Sequence, residues 1–267
     1  FRNPDKSSFQ ISPDGQHIAY MKPWKTRMNV HVINVETTDE TRLTSSEDRG
    51  IYRYGWLGNN RIGYAKDDGG DETIHFFAVN IDGTNEIDLT PFENVQTRMI
   101  DDLEDDPDHI ILGLNKRDPR IHDAFRVNIT DGTMKLIAEN PGNISGWMTD
   151  HDGNLRVAIT SDGVNTSLLY RDSESESFKT ILTTDFKVRV DPLFFTFDNT
   201  LSHSIHFFSN KRWFGIMIKP QHAFLILITI IFSQYFLIAI NIHLARLEIF
   251  YSRNATIMCY LTNNGYD

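Results

Sequence analysis

The sequence predicts an all-β chain assembled from a repeated unit, and three observations carry that prediction. Turn signals recur at Ser12-Pro13-Asp14-Gly15, Gly58-Asn59-Asn60, Asp106-Pro107-Asp108, His151-Asp152-Gly153 and Phe197-Asp198-Asn199; their reference positions 14, 59, 107, 152 and 198 are 45, 48, 45 and 46 residues apart. A second marker, Arg42-Leu43-Thr44, Asp88-Leu89-Thr90, Lys135-Leu136-Ile137 and Thr180-Ile181-Leu182, steps by 46, 47 and 45 at its central residues. Trp56 and Trp147, each preceded by a glycine, stand two periods apart. A period of about 40–50 residues built of short strands marks propeller blades, units that bury their faces only against their neighbours. The predicted fold is therefore a β-propeller of about four blades plus the start of a fifth, at 8–44, 51–90, 97–138, 144–183 and 190–199. An irregular β-sandwich with evenly spaced turns is the competing reading, and three markers sharing one period argue against it.

Within each unit the elements follow in order. Every turn is succeeded by a short apolar run, His17-Ile18-Ala19-Tyr20, Arg61-Ile62-Gly63-Tyr64, Ile110-Ile111-Leu112-Gly113 and Leu155-Arg156-Val157-Ala158, read as an inner strand. The small residues Ala19, Gly63 and Ala158 suit a place where neighbouring sheets approach closely. A further strand comes at 30–35, 75–80, 124–128 and 167–170, where apolar and polar residues alternate as a half-buried strand requires. Hairpin turns follow, clearest at Asp82-Gly83 and Asp131-Gly132, where Asp-Gly suits a tight connection.

Composition bounds the function. Of 267 residues 40% are hydrophobic and 23% charged, an ordinary globular mixture with material for a core. The net charge of −10 is uneven, since residues 200–267 carry +3 and the first 199 carry −13. An acidic domain repels phosphate backbones, which argues against a nucleic-acid partner. Cys259 is the only cysteine, so the repeat has neither a disulfide nor a cysteine-based metal site, and no cofactor is expected. Compartment stays open between cytoplasm and a periplasmic or secreted location. The chain starts at Phe1 with no initiator Met or leader, so the natural N-terminus is expected to lie upstream.

Two segments carry a resemblance. The run from Phe9 to Tyr20, Phe-Gln-Ile-Ser-Pro-Asp-Gly-Gln-His-Ile-Ala-Tyr, resembles the opening blade motif of TolB-type propellers, and Phe1-Arg2-Asn3-Pro4 before it narrows the likeness. Asp67-Asp68-Gly69-Gly70-Asp71-Glu72, leading into His75-Phe76-Phe77-Ala78-Val79, resembles the acidic second-blade loop of the prolyl oligopeptidase family, over roughly residues 1–199. The resemblance implies a serine peptidase with an N-terminal propeller, usually seven-bladed, that covers an α/β-hydrolase domain and admits only short or unstructured peptides. The sequence departs from that pattern: no Gly-x-Ser-x-Gly nucleophile elbow occurs, and a chain lacking the hydrolase domain is expected. In Gly142-Asn143-Ile144-Ser145-Gly146 the serine is one place late and lies at a blade start, so Ser145 is read as structural.

After Asn199 the period stops. Residues 223–240 form an apolar run broken only by Thr229, Ser233, Gln234 and Tyr235, near the lower limit for crossing a bilayer, with Lys211, Arg212 and Lys219 before it and Arg246 after it. The hydrophobic tail at 200–267 is expected to be helical and outside the propeller. Three origins compete: a membrane anchor, a core or interfacial helix, and translation of an out-of-frame AT-rich stretch.

Other constellations divide between function and scaffold. Asp67, Asp68, Asp71 and Glu72 are the candidate substrate-binding residues, because clustered carboxylates at a propeller loop can hold a peptide N-terminus or an arginine; bracing of neighbouring blades competes. The run Asp101, Asp102, Glu104, Asp105, Asp106 and Asp108 lacks the glycine-bearing spacing of a Ca²⁺ loop and reads as a solvated connection. His203 and His206 have no Cys or carboxylate nearby to complete a metal site. Asn128, Asn143, Asn165 and Asn254 head Asn-x-Ser/Thr triplets, meaningful only in a glycosylating compartment. The reading is a non-catalytic propeller portion of a prolyl oligopeptidase-like serine peptidase that gates or positions peptides for a hydrolase domain absent from the chain. A TolB-type or WD-repeat-like interaction scaffold and a membrane-tethered propeller are the alternatives.

Overall fold

A computed structural model describes residues 5–67, 73–195 and 199, and the strand backbones at 201–209, 212–218, 227–230, 246–250 and 258–262. The chain is all-β, a propeller architecture of four-stranded antiparallel sheets. The first sheet holds β1 (Ser7–Ile11), β2 (His17–Trp24), β3 (Arg27–Asn34) and β4 (Glu40–Arg42); the second β5 (Arg53–Leu57), β6 (Arg61–Asp67), β7 (Ile74–Asn80) and β8 (Ile87–Asp88). The third holds β9 (Thr97–Asp101), β10 (His109–Asp118), β11 (Ile121–Asn128) and β12 (Met134–Ala138). Those three belong to one compact unit, Phe1–Gly142. The second unit, Asn143–Asp267, contains β13 (Ile144–Thr149), β14 (Leu155–Ser161), β15 (Asn165–Tyr170) and β16 (Lys179–Asp185) in one sheet. Its other sheet is β17 (Val188–Phe195), β18 (Leu201–Ser209), β19 (Arg212–Ile218) and β20 (Leu227–Ile230), and a hairpin of β21 (Arg246–Phe250) and β22 (Met258–Thr262) follows.

Strand order repeats with sequence order in every sheet, so the runs read as innermost are second, and an edge strand precedes each turn. These edge strands were harder to see because they alternate weakly: in β1, Phe9 and Ile11 are exposed. The tail departs from the helical expectation. Its described stretches are strands, three of them in the fifth sheet, as its β-branched and aromatic content favours. Of the apolar run at 223–240 only Leu227–Ile230 is described, as strand, and no helix among the described residues is long and apolar enough to cross a membrane.

The central strands explain the repeat. Neighbouring residues of β7 point to opposite faces, so Val79 joins Ile62 and Tyr64 against the first sheet's Ala19, Met21, Val30 and Val32. Ala78 joins Leu57 and Leu89 against the third sheet's Ile110, Leu112, Leu114 and Val127. Burying apolar area of this kind stabilises a fold by about 25 cal/mol per Å². In the other unit Val157, Leu168 and Phe195 form the corresponding seam.

Polar atoms fix the turns. Gly83 and Gly132 adopt φ of 82° and 73°, and the preceding aspartates each accept from the threonine two residues on: Asp82 from the Thr84 N–H and hydroxyl at 2.9 and 2.6 Å, Asp131 from those of Thr133 at 2.9 and 2.7 Å. Turns of successive blades are also tied together. The Asp14 N–H donates to Asn59 Oδ1 at 3.1 Å, and the His151 N–H donates to Asn199 Oδ1 at 3.0 Å. The same joint thus recurs in both units, with an asparagine of the later turn as acceptor.

The Leu-Thr marker has a physical basis in the first two blades. Thr44 Oγ1 accepts the Val30 N–H and Thr90 Oγ1 accepts the Phe76 N–H, both at 2.9 Å, while Leu43 and Leu89 are buried. In the next two blades the marker is shifted by one residue. Leu136 and Ile181 are 43% and 40% exposed, whereas Ile137 is 9% exposed and Leu182 packs on the core. Register breaks between Ala124 and Phe125 and between Leu168 and Leu169 account for this, since one extra residue on β12 and β16 changes which side chain faces inward.

Thr90 is fully buried. Thr90→Val keeps its shape but strands the Phe76 N–H, so a loss of about 1–3 kcal/mol is expected from urea denaturation. An unchanged midpoint would refute the hydroxyl's role.

Candidate functional site

The second sheet has a shallow place on the face it turns toward the third. Cross-strand register sets its rows: Arg53, Ala65 and Phe76 form one, Gly55, Gly63 and Ala78 the next. With two glycines and two alanines among these, the face is hollow. Phe76 half fills it: a Cβ at Gly63 would lie 2.8 Å from Phe76 Cζ and 2.9 Å from Leu57 Cδ1. What remains is a groove of about 570 Å³ lined by β5 and β9: Arg53 of β5 and Thr97 and Met99 of β9 stand on the faces turned toward it, while Tyr54, Trp56 and Arg98 stand on the opposite faces of the same strands.

Tyr52 is largely exposed. Tyr54 donates its hydroxyl to the Ser8 carbonyl, and Trp56 Nε1 donates to the Gln10 carbonyl at 3.3 Å, so both rings lie against the first sheet, on the face opposite the groove. Burial pushes the Tyr54 phenol up to about 12. Arg53 and Arg98 are exposed, and among the described residues neither meets a carboxylate within ion-pair distance. The nearest consequence of Arg98 is on His122: burial, and then the positive charge of Arg98, hold that imidazole below its ordinary value. Thr97 is 9% exposed, and its Oγ1 is buried without a hydrogen-bond partner among the described residues.

Of the predicted site residues, Asp67 ends β6 in the same column as Gly63 and Ala65, one row beyond Arg53, and its carboxylate lies 3.8 Å from Arg49 Nε. Asp68, Asp71 and Glu72 lie outside the described residues. The acidic run after β9 is a connection capped by itself: Asp101 Oδ1 accepts the Leu103 N–H at 2.8 Å and Asp106 Oδ1 the Asp108 N–H at 3.0 Å. Ser145 sits within β13, where its hydroxyl donates to the Ile159 carbonyl at 3.2 Å. The side chains of His203 and His206 lie outside the described residues.

Sequence reasoning missed the groove, because its residues come from strands read as scaffold. The signal available was the pairing of small residues, Gly55 with Gly63, in consecutive strands. It also missed a histidine–carboxylate pair, His75 Nδ1 to Asp88 Oδ2 at 2.7 Å, with the Thr90 N–H on the other carboxylate oxygen at 2.8 Å. No serine or cysteine among the described residues is hydrogen-bonded to that ring, so the pair braces β7 against β8.

The chain is similar in sequence to two peptidases. Dipeptidyl aminopeptidase BIII of Pseudoxanthomonas mexicana is 31% identical over 163 residues, covering 60% of this chain and 24% of that protein. Dipeptidyl peptidase family member 6 of Caenorhabditis elegans is 23% identical over 190 residues, covering 67% of this chain and 25% of that one. The chain thus spans about a quarter of the length of these relatives. Oligopeptidase B of Leishmania major superposes with a TM-score of 0.56 at 11% identity, over 94% of this chain and 37% of its own, a likeness of fold alone. No protein-family model matches the chain.

Two outcomes test the groove's construction. Gly63→Ala forces Phe76 and Leu57 aside and is expected to cost about 1–3 kcal/mol in urea denaturation; wild-type stability would mean that the contact is not tight. Because the Tyr54 phenol is raised by folding, its contribution to stability is complete below pH 10 and lost as pH rises through about 12. Tyr54→Phe should therefore flatten the alkaline stability profile across that window; an unaltered profile would place the phenol in solvent.

Proposed function

Since the chain is a homologue of dipeptidyl aminopeptidases with the β-propeller fold of the prolyl oligopeptidase family, we propose that it is the non-catalytic propeller of a peptidase of this type, positioning short peptides at the groove between β5 and β9. The observation that carries this reading is the groove itself: an open hollow on sheet-edge strands, where an extended chain can lie along exposed backbone. Restriction of access to short or unstructured peptides belongs to the same reading, with Asp67, Asp68, Asp71 and Glu72 as further substrate-binding residues at the loop after β6. The hydrolytic step belongs to a hydrolase domain elsewhere. Acyl transfer needs a nucleophile, a base and an oxyanion hole together, and the sequence contains no Gly-x-Ser-x-Gly elbow.

A TolB-like scaffold differs in its ligand, a folded partner rather than a free peptide. Calorimetry on the full chain with unstructured peptides of about four to eight residues, against folded proteins at equal concentration, separates the two. Peptide binding without labelling by a fluorophosphonate supports the proposal. Binding confined to folded proteins, or labelling of a serine in this chain, overturns it.

A further inference from the structure

β5 comes first in its sheet, so β6 pairs with it on one side and the other edge is free. The Tyr54 carbonyl points to that free edge, where the Gln10 side chain donates Nε2 to it at 3.1 Å. The N–H and C=O of a strand residue point to the same side, so the Tyr54 N–H lies on this edge too, while Arg53 and Gly55 turn theirs toward β6. The Gln10 carboxamide therefore lies where a peptide group of an added strand would lie. Gln10 is exposed, and its side chain can leave the edge without uncovering a core. A Cβ on Gly55 would meet nothing nearer than Gln10 Oε1 at 4.0 Å, so the groove side of this edge is open. Arg53 stands on that side, exposed, and meets no carboxylate within ion-pair distance among the described residues of a chain whose net charge is −10. Asp67, diagonal to it on the same face, turns its carboxylate to Arg49 Nε at 3.8 Å.

We propose that an extended peptide adds as a strand to the free edge of β5, replacing the Gln10 carboxamide at the Tyr54 backbone, and that Arg53 selects peptides carrying an acidic side chain opposite it. The inference rests on the peptide-positioning reading and adds the edge, the pairing and the preferred residue. On an added strand the residue opposite Tyr54 exchanges both backbone bonds with it, and its two neighbours stand opposite Arg53 and Gly55. Opposed side chains share a face, so those two neighbours point into the groove. One meets a guanidinium, whose planar donors fit a carboxylate better than a neutral amide. The other meets a glycine, which leaves the hollow free for a large apolar side chain. The pattern recognised is an acidic and an apolar residue two positions apart.

Calorimetric titration of the full chain with two capped peptides, acetyl-Ala-Glu-Ala-Leu-Ala-amide and acetyl-Ala-Leu-Ala-Glu-Ala-amide, tests this, and the tighter of the two gives the direction of the added strand. Glutamine in place of the peptide's glutamate is expected to weaken binding about two- to fivefold, the effect of a cross-strand ion pair. Arg53→Gln should abolish that difference and leave the glutamine peptide unchanged. N-methylation of the central alanine should weaken binding about tenfold, because it removes a backbone donor at the edge. Gln10→Ala should tighten binding of every capped peptide, since the Tyr54 carbonyl is then vacant. Undiminished binding of the N-methylated peptide, or no tightening by Gln10→Ala, overturns the edge pairing and leaves peptide positioning standing. Equal binding of the glutamate and glutamine peptides by the wild-type chain overturns the selection by Arg53. Absence of binding by every peptide overturns the positioning reading as well.

Discussion

A four-stranded antiparallel sheet whose central strands are apolar on both faces cannot be covered by water on either side, and this constraint governs the molecule. Ala78 and Val79, adjacent on β7 and both fully buried, point to opposite cores. The second sheet is therefore stable only between two others, and the chain must supply another sheet at each period. The asparagine joints between successive turns, repeated at Asn59 and Asn199, set how each pair meets at one end. Burial provides the attraction, and these directional bonds provide the register.

The groove follows from the same packing. Large side chains on both partners would close the space between two sheets, as Ile110, Leu112 and Leu114 do over Leu57 and Leu89. Where β5 and β6 bring Gly55 opposite Gly63, there is nothing to fill the gap except Phe76. The hollow at this sheet edge leaves backbone and the Arg53 side chain open while the core behind them stays intact. On the other face of β5, the hydrogen bonds from Tyr54 and Trp56 to carbonyls of β1 tie that strand to the first sheet.

The polar groups of the blades are largely committed to structure: the His75–Asp88 pair to joining strands, the Asp82 and Asp131 carboxylates to their own turns, and Asp123, fully enclosed, to Arg117 at 2.8 Å and the Asn140 N–H at 2.7 Å.

The sequence by itself determined the repeat, the all-β class and the kinship with peptidase propellers, because turn chemistry and apolar periodicity are local properties of the chain. Asp82-Gly83 and Asp131-Gly132 make the same turn wherever they occur. Tertiary structure alone decided the rest. The bulges that turn Ile137 and Leu182 inward in place of Leu136 and Ile181 depend on pairing across strands, which single residues do not encode. The strands of the tail replaced an expected helix because a short apolar run has no period to separate the two. The groove joins Tyr52 to Asp102 across about 50 positions, and no local pattern records a hollow whose walls are furnished by different sheets.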